Sequence, residues 1–186
     1  MTLQIQRRTF TVDEYHVMLR ANILTEDDRV ELLDGEIVNM APIGSEHSGC
    51  VLRLNHLLLQ RLLGRALVNI QNPIILSDHS EPQPDLALLV PRADFYTGSH
   101  PGSLDIYLLI EVTDTTADFD RQVKVPLYAR AGIREVWLVD LAAQGIEVYR
   151  DPAEGSYRTN TRLKDAQCLS PLAFPDLVLT AKDILG

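Results

Sequence analysis

The amino-acid sequence predicts one α/β domain built on a mixed β-sheet. Its 186 residues are enough for a single domain with a proper core. The composition, with 46% hydrophobic and 23% charged residues, is ordinary for a folded soluble protein. The local patterns run in the order helix, hairpin, helix, several strands, helix and further strands, and this order is typical of an α/β domain.

The N-terminal part of the chain predicts a helix and then a hairpin. The stretch TVDEYHVMLRA begins with Thr11, which stands three residues before Glu14 at the spacing of a helical capping box. The stretch RVELLDGEIVNM predicts a tight hairpin, because Asp34 and Gly35 supply the positive φ that such a turn needs.

A long helix and a group of buried strands are predicted next. In SEHSGCVLRLNHLLLQRLLG the apolar residues recur at helical intervals, with Ser45 placed to cap the helix and Gly64 placed to end it. RALVNI and NPIIL predict one strand or two, while PDLALLV and DIYLLIEVT predict one strand each. All four stretches are rich in leucine, isoleucine and valine, as expected of strands covered on both faces.

The stretch ADFDRQVKVPLYARAG predicts a third helix, closed by Gly132. Inside a helix Pro126 would remove a hydrogen bond and clash one turn back, but it is harmless in the first turn. We therefore expect the helix to begin near Arg121 or Gln122, which puts Lys124 at its beginning. REVWLVDL, GIEVYRD and SYRTNTRL predict three more strands, the last two as a hairpin, and DLVLTAKDIL closes the chain.

The net charge and the cysteines limit the class of protein. A protein that binds nucleic acid by counterion release usually has a basic surface, so a chain with net charge -9 would need a local basic patch. Cys50 and Cys168 stand alone in the sequence, and we expect both to be buried free thiols, which indicates a cytoplasmic protein. No apolar stretch is long enough to cross a membrane.

Two acidic residues interrupt the apolar strands. Asp85 begins the strand in QPDLALLV, and Glu111 lies near the end of the strand in IYLLIEVTD. An antiparallel return would place the start of one strand beside the end of the other, so the two carboxylates would meet. Because Mg²⁺ and Mn²⁺ prefer such oxygen ligands, we expect the pair to bind one of these ions. Lys124 can point back at the same edge, to orient the attacking water or to neutralise a phosphate.

Each of these residues also has a purely structural explanation. Asp85 follows Pro84 and can finish a turn. Glu111 can form a salt bridge with an arginine, since a charge within LLIEV is costly unless it is paired. Lys124 follows Asp120 by four residues, which is the spacing of a surface ion pair on a helix. The order of the set, with Pro-Asp, a glutamate in a buried strand and then a lysine, favours a functional site.

This ordered set resembles the motif of the PD-(D/E)XK nuclease superfamily, whose core is a helix-flanked mixed sheet that bears the acidic residues. The usual pattern places the lysine where this chain has Thr113, but one branch carries it on the following helix. The wider sequence is similar to that branch, the Uma family of putative restriction endonucleases, from about Phe10 to the C-terminus and most specifically over 109–140. The similar stretches are VELLDGEIVNMAP, SEHSGCVLRLNHLL, QPDLALL, LLIEVTDTTADFDRQVKVPLYARAGIREVWLVD and EVYRD.

The resemblance implies a restriction-endonuclease-like mixed sheet flanked by helices, in a single domain over residues 1–186. It implies that Asp85 and Glu111 bind the metal and that Lys124 is the catalytic lysine. It also implies that Glu31 completes the metal site and that His47 contacts a phosphate or a metal-bound water. An outward position on an exposed hairpin is the alternative for Glu31, and a polar first-turn residue is the alternative for His47. The remaining histidines are expected to be surface or packing residues: His16, His56, His79 and His100.

The function that we expect is Mg²⁺- or Mn²⁺-dependent hydrolysis of phosphodiester bonds in DNA. Six arginines are candidate contacts to the DNA backbone: Arg53, Arg61, Arg65, Arg121, Arg130 and Arg134. Such nucleases commonly pair across a two-fold axis, and EVWLVDLAAQGIEVYR offers apolar and aromatic surface for a homodimer. Two other functions stay open. One is an inactive binding or assembly module, favoured by the missing lysine at 113 and the acidic charge, and the other is hydrolysis of a small phosphate compound.

Overall fold

The computed structural model describes residues 7–25 and 27–186. Its helices and strands are α1 Val12–Arg20, β1 Val30–Leu33, β2 Glu36–Asn39, α2 Ser45–Leu62, β3 Leu67–Ile70, β4 Leu86–Leu89, β5 Ile106–Thr113, α3 Ala117–Phe119, α4 Val125–Arg130, β6 Glu135–Asp140, β7 Gly145–Ala153, β8 Ser156–Leu163, β9 Cys168–Leu169, β10 Leu179–Thr180 and α5 Ala181–Leu185. A 3₁₀ turn, Ser103–Asp105, precedes β5, and a π-helical turn, Asp120–Lys124, joins α3 to α4.

The centre of the fold is a six-stranded sheet of order β3-β4-β5-β6-β7-β8. The β5–β6 pair is parallel, and the other neighbouring pairs are antiparallel. The two remaining strand pairs form separate small sheets, β1 with β2 and β9 with β10. The predicted mixed sheet is therefore confirmed.

Helices cover both faces of this sheet. On one face, Leu54 and Leu58 of α2 belong to the same buried cluster as Trp137 of β6. On the other face, Tyr128 of α4 belongs to a buried cluster with Leu109 of β5. The predicted burial of the strands on two sides is confirmed, and it explains why their sequences are apolar at consecutive positions.

The N-terminal predictions are confirmed in detail. Thr11 caps α1, and its hydroxyl accepts a 3.1 Å hydrogen bond from the Glu14 backbone amide, while the Glu14 carboxylate accepts from the Thr11 amide. The hairpin turns at Asp34 and Gly35, which have φ of 48° and 81°.

Two local predictions between residues 44 and 76 are corrected, and one is confirmed. Gly44, not Ser45, occupies the cap position of α2, and it has no side chain to accept a hydrogen bond. As predicted, Gly64 ends the helix: α2 runs to Leu62, Leu63 is its C-cap, and Gly64 follows with a positive φ of 76°. The stretch NPIIL forms no regular strand, because its one bridge, from Ile75 to Gly102, is isolated.

The helical segment that carries Lys124 begins earlier than predicted. It starts at Ala117 and continues through the π-helical turn into α4, so Lys124 lies in its middle. At the end of the turn the Val125 amide donates to the Asp120 carbonyl, five residues back. This wider turn directly precedes Pro126, which has no amide to donate, and the segment passes through the proline without ending.

Two expectations about the surface are wrong. Residues 135–150 cannot supply the homodimer surface that was predicted from EVWLVDLAAQGIEVYR, because their apolar side chains pack inside the chain's own core, with Trp137 fully buried and Val148 3% exposed. Cys50 is buried as expected, but Cys168 is exposed. Over the described residues, no helix combines the length and the apolar character that a membrane span requires.

Candidate active site

Antiparallel pairing of β4 with β5 brings Asp85 beside Glu111. Leu86 pairs with Ile110, so the residue before β4 lies next to the residue after Ile110. The Asp85 backbone amide is 3.4 Å from Glu111 Oε2, and the Val112 amide donates a 2.9 Å hydrogen bond to Asp85 Oδ2. The predicted convergence of these two carboxylates is confirmed.

The Lys124 ammonium lies between two buried glutamates. Its Nζ is 3.1 Å from Glu31 Oε1 and 3.3 Å from Glu111 Oε1. Lys124 is only 6% exposed, so the surface ion pair that its spacing from Asp120 suggested is wrong. The partner of Glu111 is likewise this lysine and not an arginine.

Glu31 is buried because its hairpin packs against the chain that leads into β4. Leu32 forms a backbone bridge with Glu81, and the Gln83 amide donates a 3.1 Å hydrogen bond to Glu31 Oε2. Glu31 is 3% exposed, which excludes an outward position on an exposed hairpin. Both of its carboxylate oxygens have protein partners, Lys124 and Gln83.

His47, in the first turn of α2, reaches Asp85. Its Nε2 is 3.1 Å from both carboxylate oxygens of Asp85. This hydrogen bond raises the pKa of His47, and burial acts in the opposite direction. His47 Nδ1 is buried and has no hydrogen-bond partner among the described residues. His47 is therefore more than a polar residue of the first turn.

Several residues of this site were not identified from the sequence. The Tyr128 hydroxyl donates to Glu111 Oε1, and Gln71 Nε2 donates a 3.1 Å hydrogen bond to Asp85 Oδ1. Asp120 is 5% exposed and accepts from the Thr116 hydroxyl. Tyr128 and Asp120 stand four residues after and before Lys124, and this helical spacing was the available signal. Gln71 carries no comparable signal.

The buried charges change the protonation of the site. Burial raises the pKa of Glu111 to about 8, with the Lys124 ammonium opposing the shift and the Asp85 carboxylate adding to it. Burial alone would lower the pKa of Lys124, but the carboxylates of Glu111 and Glu31 more than offset this, and its pKa lies above the ordinary value. Lys124 thus keeps its proton at neutral pH.

Apart from the fully buried Tyr128, these residues line one open cleft of about 1120 Å³ between α1, the β1–β2 hairpin and the end of β5. Its acidic lining residues are Asp28, Glu31, Glu81, Asp85, Glu111, Asp114 and Asp120, and its basic ones, apart from histidines, are Arg29 and Lys124. The cleft is thus predominantly acidic.

Four of the six arginines expected to contact a nucleic-acid backbone are engaged within the chain. Arg121 binds Asp140 and Glu147, Arg65 binds Asp176, and Arg130 binds Asp34. Arg53 donates to the carbonyls of Ile184 and Leu185. None of the six lines the cleft. The local basic patch predicted from these residues is therefore not at the site.

The donor set fits a hard divalent cation. No group of three or more His, Cys, Asp or Glu within residues 7–25 and 27–186 forms a ready metal cluster, because Lys124 separates Glu31 from Glu111. Mg²⁺, however, commonly uses one or two carboxylates and keeps several waters. Among the described residues, Glu111 Oε2 accepts only the long bond from the Asp85 amide, so it can supply one oxygen ligand. The Asp85 oxygens accept hydrogen bonds from Gln71, His47 and the Val112 amide, so Asp85 would supply the second ligand by exchanging one of these bonds for the ion.

The fold of this chain is similar to that of proteins of known structure. A putative nuclease belonging to DUF820 from Anabaena variabilis ATCC 29413 has a similar structure, with a TM-score of 0.73, 16% identity and coverage of 95% of this chain and 97% of that one. The type IIG restriction endonuclease BpuSI is aligned over 78% of this chain and 16% of its own, at 15% identity and a TM-score of 0.42. No curated protein matches the chain.

The family comparison covers nearly the whole sequence. The family model Uma2, described as "Putative restriction endonuclease", matches residues 12–182. The predicted restriction-endonuclease-like fold, a mixed sheet flanked by helices, is confirmed. The chain belongs to the Uma2 family of putative restriction endonucleases.

Proposed function

We propose that this protein is a divalent-metal-dependent nuclease that hydrolyses phosphodiester bonds in DNA. The observation that carries the proposal is the convergence of Asp85, Glu111 and Lys124 at one end of β4 and β5, inside a cleft. Membership of a family described as "Putative restriction endonuclease" supports the nucleic-acid substrate.

Asp85 and Glu111 would hold a Mg²⁺ or Mn²⁺ ion. Such an ion polarises a phosphoryl oxygen and lowers the pKa of a bound water. Glu31, which the resemblance implies as a third ligand, accepts hydrogen bonds from Lys124 and Gln83 in this structure. We therefore assign Glu31 the task of holding the Lys124 ammonium in place. His47 orients Asp85 through the hydrogen bond of its Nε2.

Lys124 contributes positive charge and hydrogen bonds. Because its pKa is raised, it is a poor proton acceptor at neutral pH. A fixed ammonium group at the cleft can offset the negative charge that builds up on the phosphoryl oxygens in the transition state. Glu31 and Glu111 hold this ammonium group before substrate binds. The Tyr128 hydroxyl in turn donates a hydrogen bond to Glu111.

The test is cleavage of supercoiled and linear DNA with Mg²⁺ or Mn²⁺ by the wild type and by Asp85→Asn, Glu111→Gln and Lys124→Met. Each change should reduce cleavage by about 10²-fold or more, since each removes a ligand or the transition-state charge. Lys182→Met is the matched control, because Lys182 is exposed and does not line the cleft, and it should cut like the wild type. Cleavage that persists in all three site variants would overturn the site assignment.

A second candidate function is hydrolysis of a small phosphate compound. The acidic lining of the cleft and the engagement of four arginines elsewhere favour it, because neither feature hinders a small substrate. This function would be selected by three results together. Calorimetry would show metal binding at Asp85 and Glu111, the protein would hydrolyse a small phosphodiester, and it would cleave no DNA.

A further inference from the structure

A second carboxylate–histidine pair lies in the cleft and plays no part in the site described above. His16 was expected to be a surface or packing residue, but its Nε2 is 2.7 Å from Glu81 Oε2. The Glu81 side chain is 4% exposed and that of His16 is 30% exposed, so a buried carboxylate holds a partly accessible imidazole. Both residues line the same cleft as Glu31 and Asp85.

The backbone fixes how close this pair is to the carboxylates. Glu81 forms a backbone bridge with Leu32, the neighbour of Glu31, and the Gln83 amide bonds the Glu31 carboxylate. Two residues of chain span at most about 7 Å. The backbone of Glu81 therefore lies within about 7 Å of Gln83, whose amide bonds Glu31. Tyr15, the neighbour of His16, shows the same proximity, since burial and the carboxylates of Glu81 and Glu31 raise its pKa.

Three histidines line the cleft, and His16 is the one held by a carboxylate outside the proposed metal site: His47 bonds Asp85, and His100 has no carboxylate partner among the described residues. The Lys124 ammonium is engaged between the carboxylates of Glu31 and Glu111. The Nε2 of His47 is bound to Asp85, and Asp85 and Glu111 are the proposed ligands of the ion. Hydrolysis of a phosphodiester needs a group that takes a proton from the attacking water, and imidazole is the side chain best suited to this near neutral pH.

We propose that His16 is the general base of this nuclease and that Glu81 positions its ring. The inference rests on the proposed function. With the Nε2 proton donated to the Glu81 carboxylate, Nδ1 carries the free lone pair, and Nδ1 has no hydrogen-bond partner among the described residues. This is the arrangement by which a carboxylate selects the tautomer of a catalytic histidine.

In the proposed step, His16 Nδ1 takes one proton from a water molecule as the water oxygen bonds to phosphorus. The bond between phosphorus and the leaving oxygen breaks, and that oxygen takes a proton from a second water. The Glu81 carboxylate stabilises the imidazolium that forms, which then returns its proton to solvent. The net change is the addition of one water across the phosphorus–oxygen bond.

The test compares His16→Gln, His16→Ala and Glu81→Gln with the wild type, using a labelled DNA oligonucleotide and Mn²⁺. Glutamine keeps a hydrogen-bonding side chain on α1 but cannot exchange protons, and alanine leaves space for added imidazole. His56→Ala is the matched control, since His56 is exposed on α2 and does not line the cleft. Calorimetry with Mn²⁺ alone and thermal unfolding accompany the kinetics for every variant.

His16→Gln should lower kcat by about 10²-fold or more, with KM and Mn²⁺ affinity little changed. Imidazole in the buffer should restore part of the activity of His16→Ala and should not affect Asp85→Asn. Glu81→Gln should show a smaller loss in kcat. A His16→Gln variant that keeps its kcat, or that loses activity only in proportion to its Mn²⁺ affinity, overturns the inference.

The same set of variants separates this inference from the proposed function. If activity disappears in Asp85→Asn but persists in His16→Gln, the assignment of His16 as general base is contradicted and the proposed nuclease function is not. A wild-type protein that binds Mn²⁺ but cleaves no DNA contradicts the nuclease proposal and the general base together.

Discussion

At Glu111, burial raises the pKa of the carboxyl group and the ion pair with Lys124 lowers it. The ordinary pKa of 4.5 rises to about 8, although Lys124 and Tyr128 both stabilise the carboxylate. The folded protein therefore holds this proton more tightly than the unfolded chain does. The stabilisation that results is complete below pH 4.5 and is lost as the pH rises through about 8.

This proton competes with a divalent cation for the carboxylate. We predict that Mn²⁺ binding releases a proton below pH 8, and that the apparent affinity rises about tenfold per pH unit until that pH and then levels off. Calorimetry at several pH values, in buffers of different ionisation enthalpy, measures both quantities. Glu111→Gln should bind more weakly and lose this pH dependence. An affinity that is constant between pH 6 and pH 8 would contradict the raised pKa.

Lys124 also stabilises the fold, because its ammonium lies between the buried side chains of Glu31 and Glu111. We predict that Lys124→Met lowers the free energy of unfolding by about 3–5 kcal/mol, since it leaves the buried Glu31 carboxylate without its cation and removes a hydrogen bond to Glu111. The double variant Glu31→Gln with Lys124→Met should recover part of the loss.

Urea denaturation of the variants measures this effect. Lys182→Met, at an exposed position, should change the free energy of unfolding by at most about 0.5 kcal/mol. Equal values for Lys124→Met and Lys182→Met would show that the buried ion pairs do not support the fold.

The sequence predicted the main acids of the site but not their full surroundings. Asp85 and Glu111 could be placed together because each interrupts an apolar strand and the strands return antiparallel. The burial of Glu31 depends on how the hairpin packs against residues 81–83, which are fifty residues away in the chain. No local pattern encodes that contact, and the same holds for the partner of His16.

At the scale of elements, the helical segment that carries Lys124 is anchored to the sheet by one arginine. Arg121, in the π-helical turn, donates to Glu147 Oε1 at 2.8 Å and also binds Asp140. Asp140 ends β6 and Glu147 lies in β7, so the turn is tied to two strands. This contact fixes the turn from which Lys124 reaches the cleft.

We predict that Arg121→Gln lowers the free energy of unfolding by about 2–3 kcal/mol, because the nearly buried Asp140 and Glu147 lose their cation while the arginine itself is partly exposed. Arg130→Gln on the same segment removes an exposed pair with Asp34 and should cost at most about 1 kcal/mol. Urea denaturation curves of the two variants measure both losses in the free energy of unfolding. A larger loss for Arg130→Gln would contradict the proposed anchoring.

The helical segment that carries Lys124 differs from what local sequence rules predict. The rule that proline belongs in the first turn predicted a start near residue 121, whereas the segment starts at Ala117. The π-helical turn lies directly before Pro126 and allows the helical segment to continue through it. Such a turn has no clear sequence signature. The capping box at Thr11 is a purely local interaction, and it was predicted correctly.

At the scale of the whole molecule, the charge is unusual for the DNA-cleaving function that we propose. The net charge is -9, the cleft is acidic, and several arginines bind acidic groups of the chain itself. Few cations are left to neutralise phosphates near the site. A divalent ion would therefore contribute much of the attraction between the cleft and a nucleic-acid backbone.

We predict a weak dependence of DNA binding on monovalent salt. The slope of log affinity against log salt concentration should be well below that of proteins that make about 6–10 phosphate contacts. Fluorescence anisotropy with Ca²⁺ in place of Mg²⁺ measures the slope, and EDTA should weaken binding sharply. Binding that is as tight in EDTA as in Ca²⁺ would show that the protein has a basic surface outside the cleft.

The central claim is that Asp85 and Glu111 jointly bind one divalent ion beside Lys124. The most direct measurement is anomalous diffraction from a crystal of the protein soaked with Mn²⁺. We predict one strong anomalous peak within coordination distance of both carboxylates, and its loss in a crystal of Asp85→Asn. An absence of any peak at these two residues, with Mn²⁺ bound elsewhere or not at all, would contradict the account.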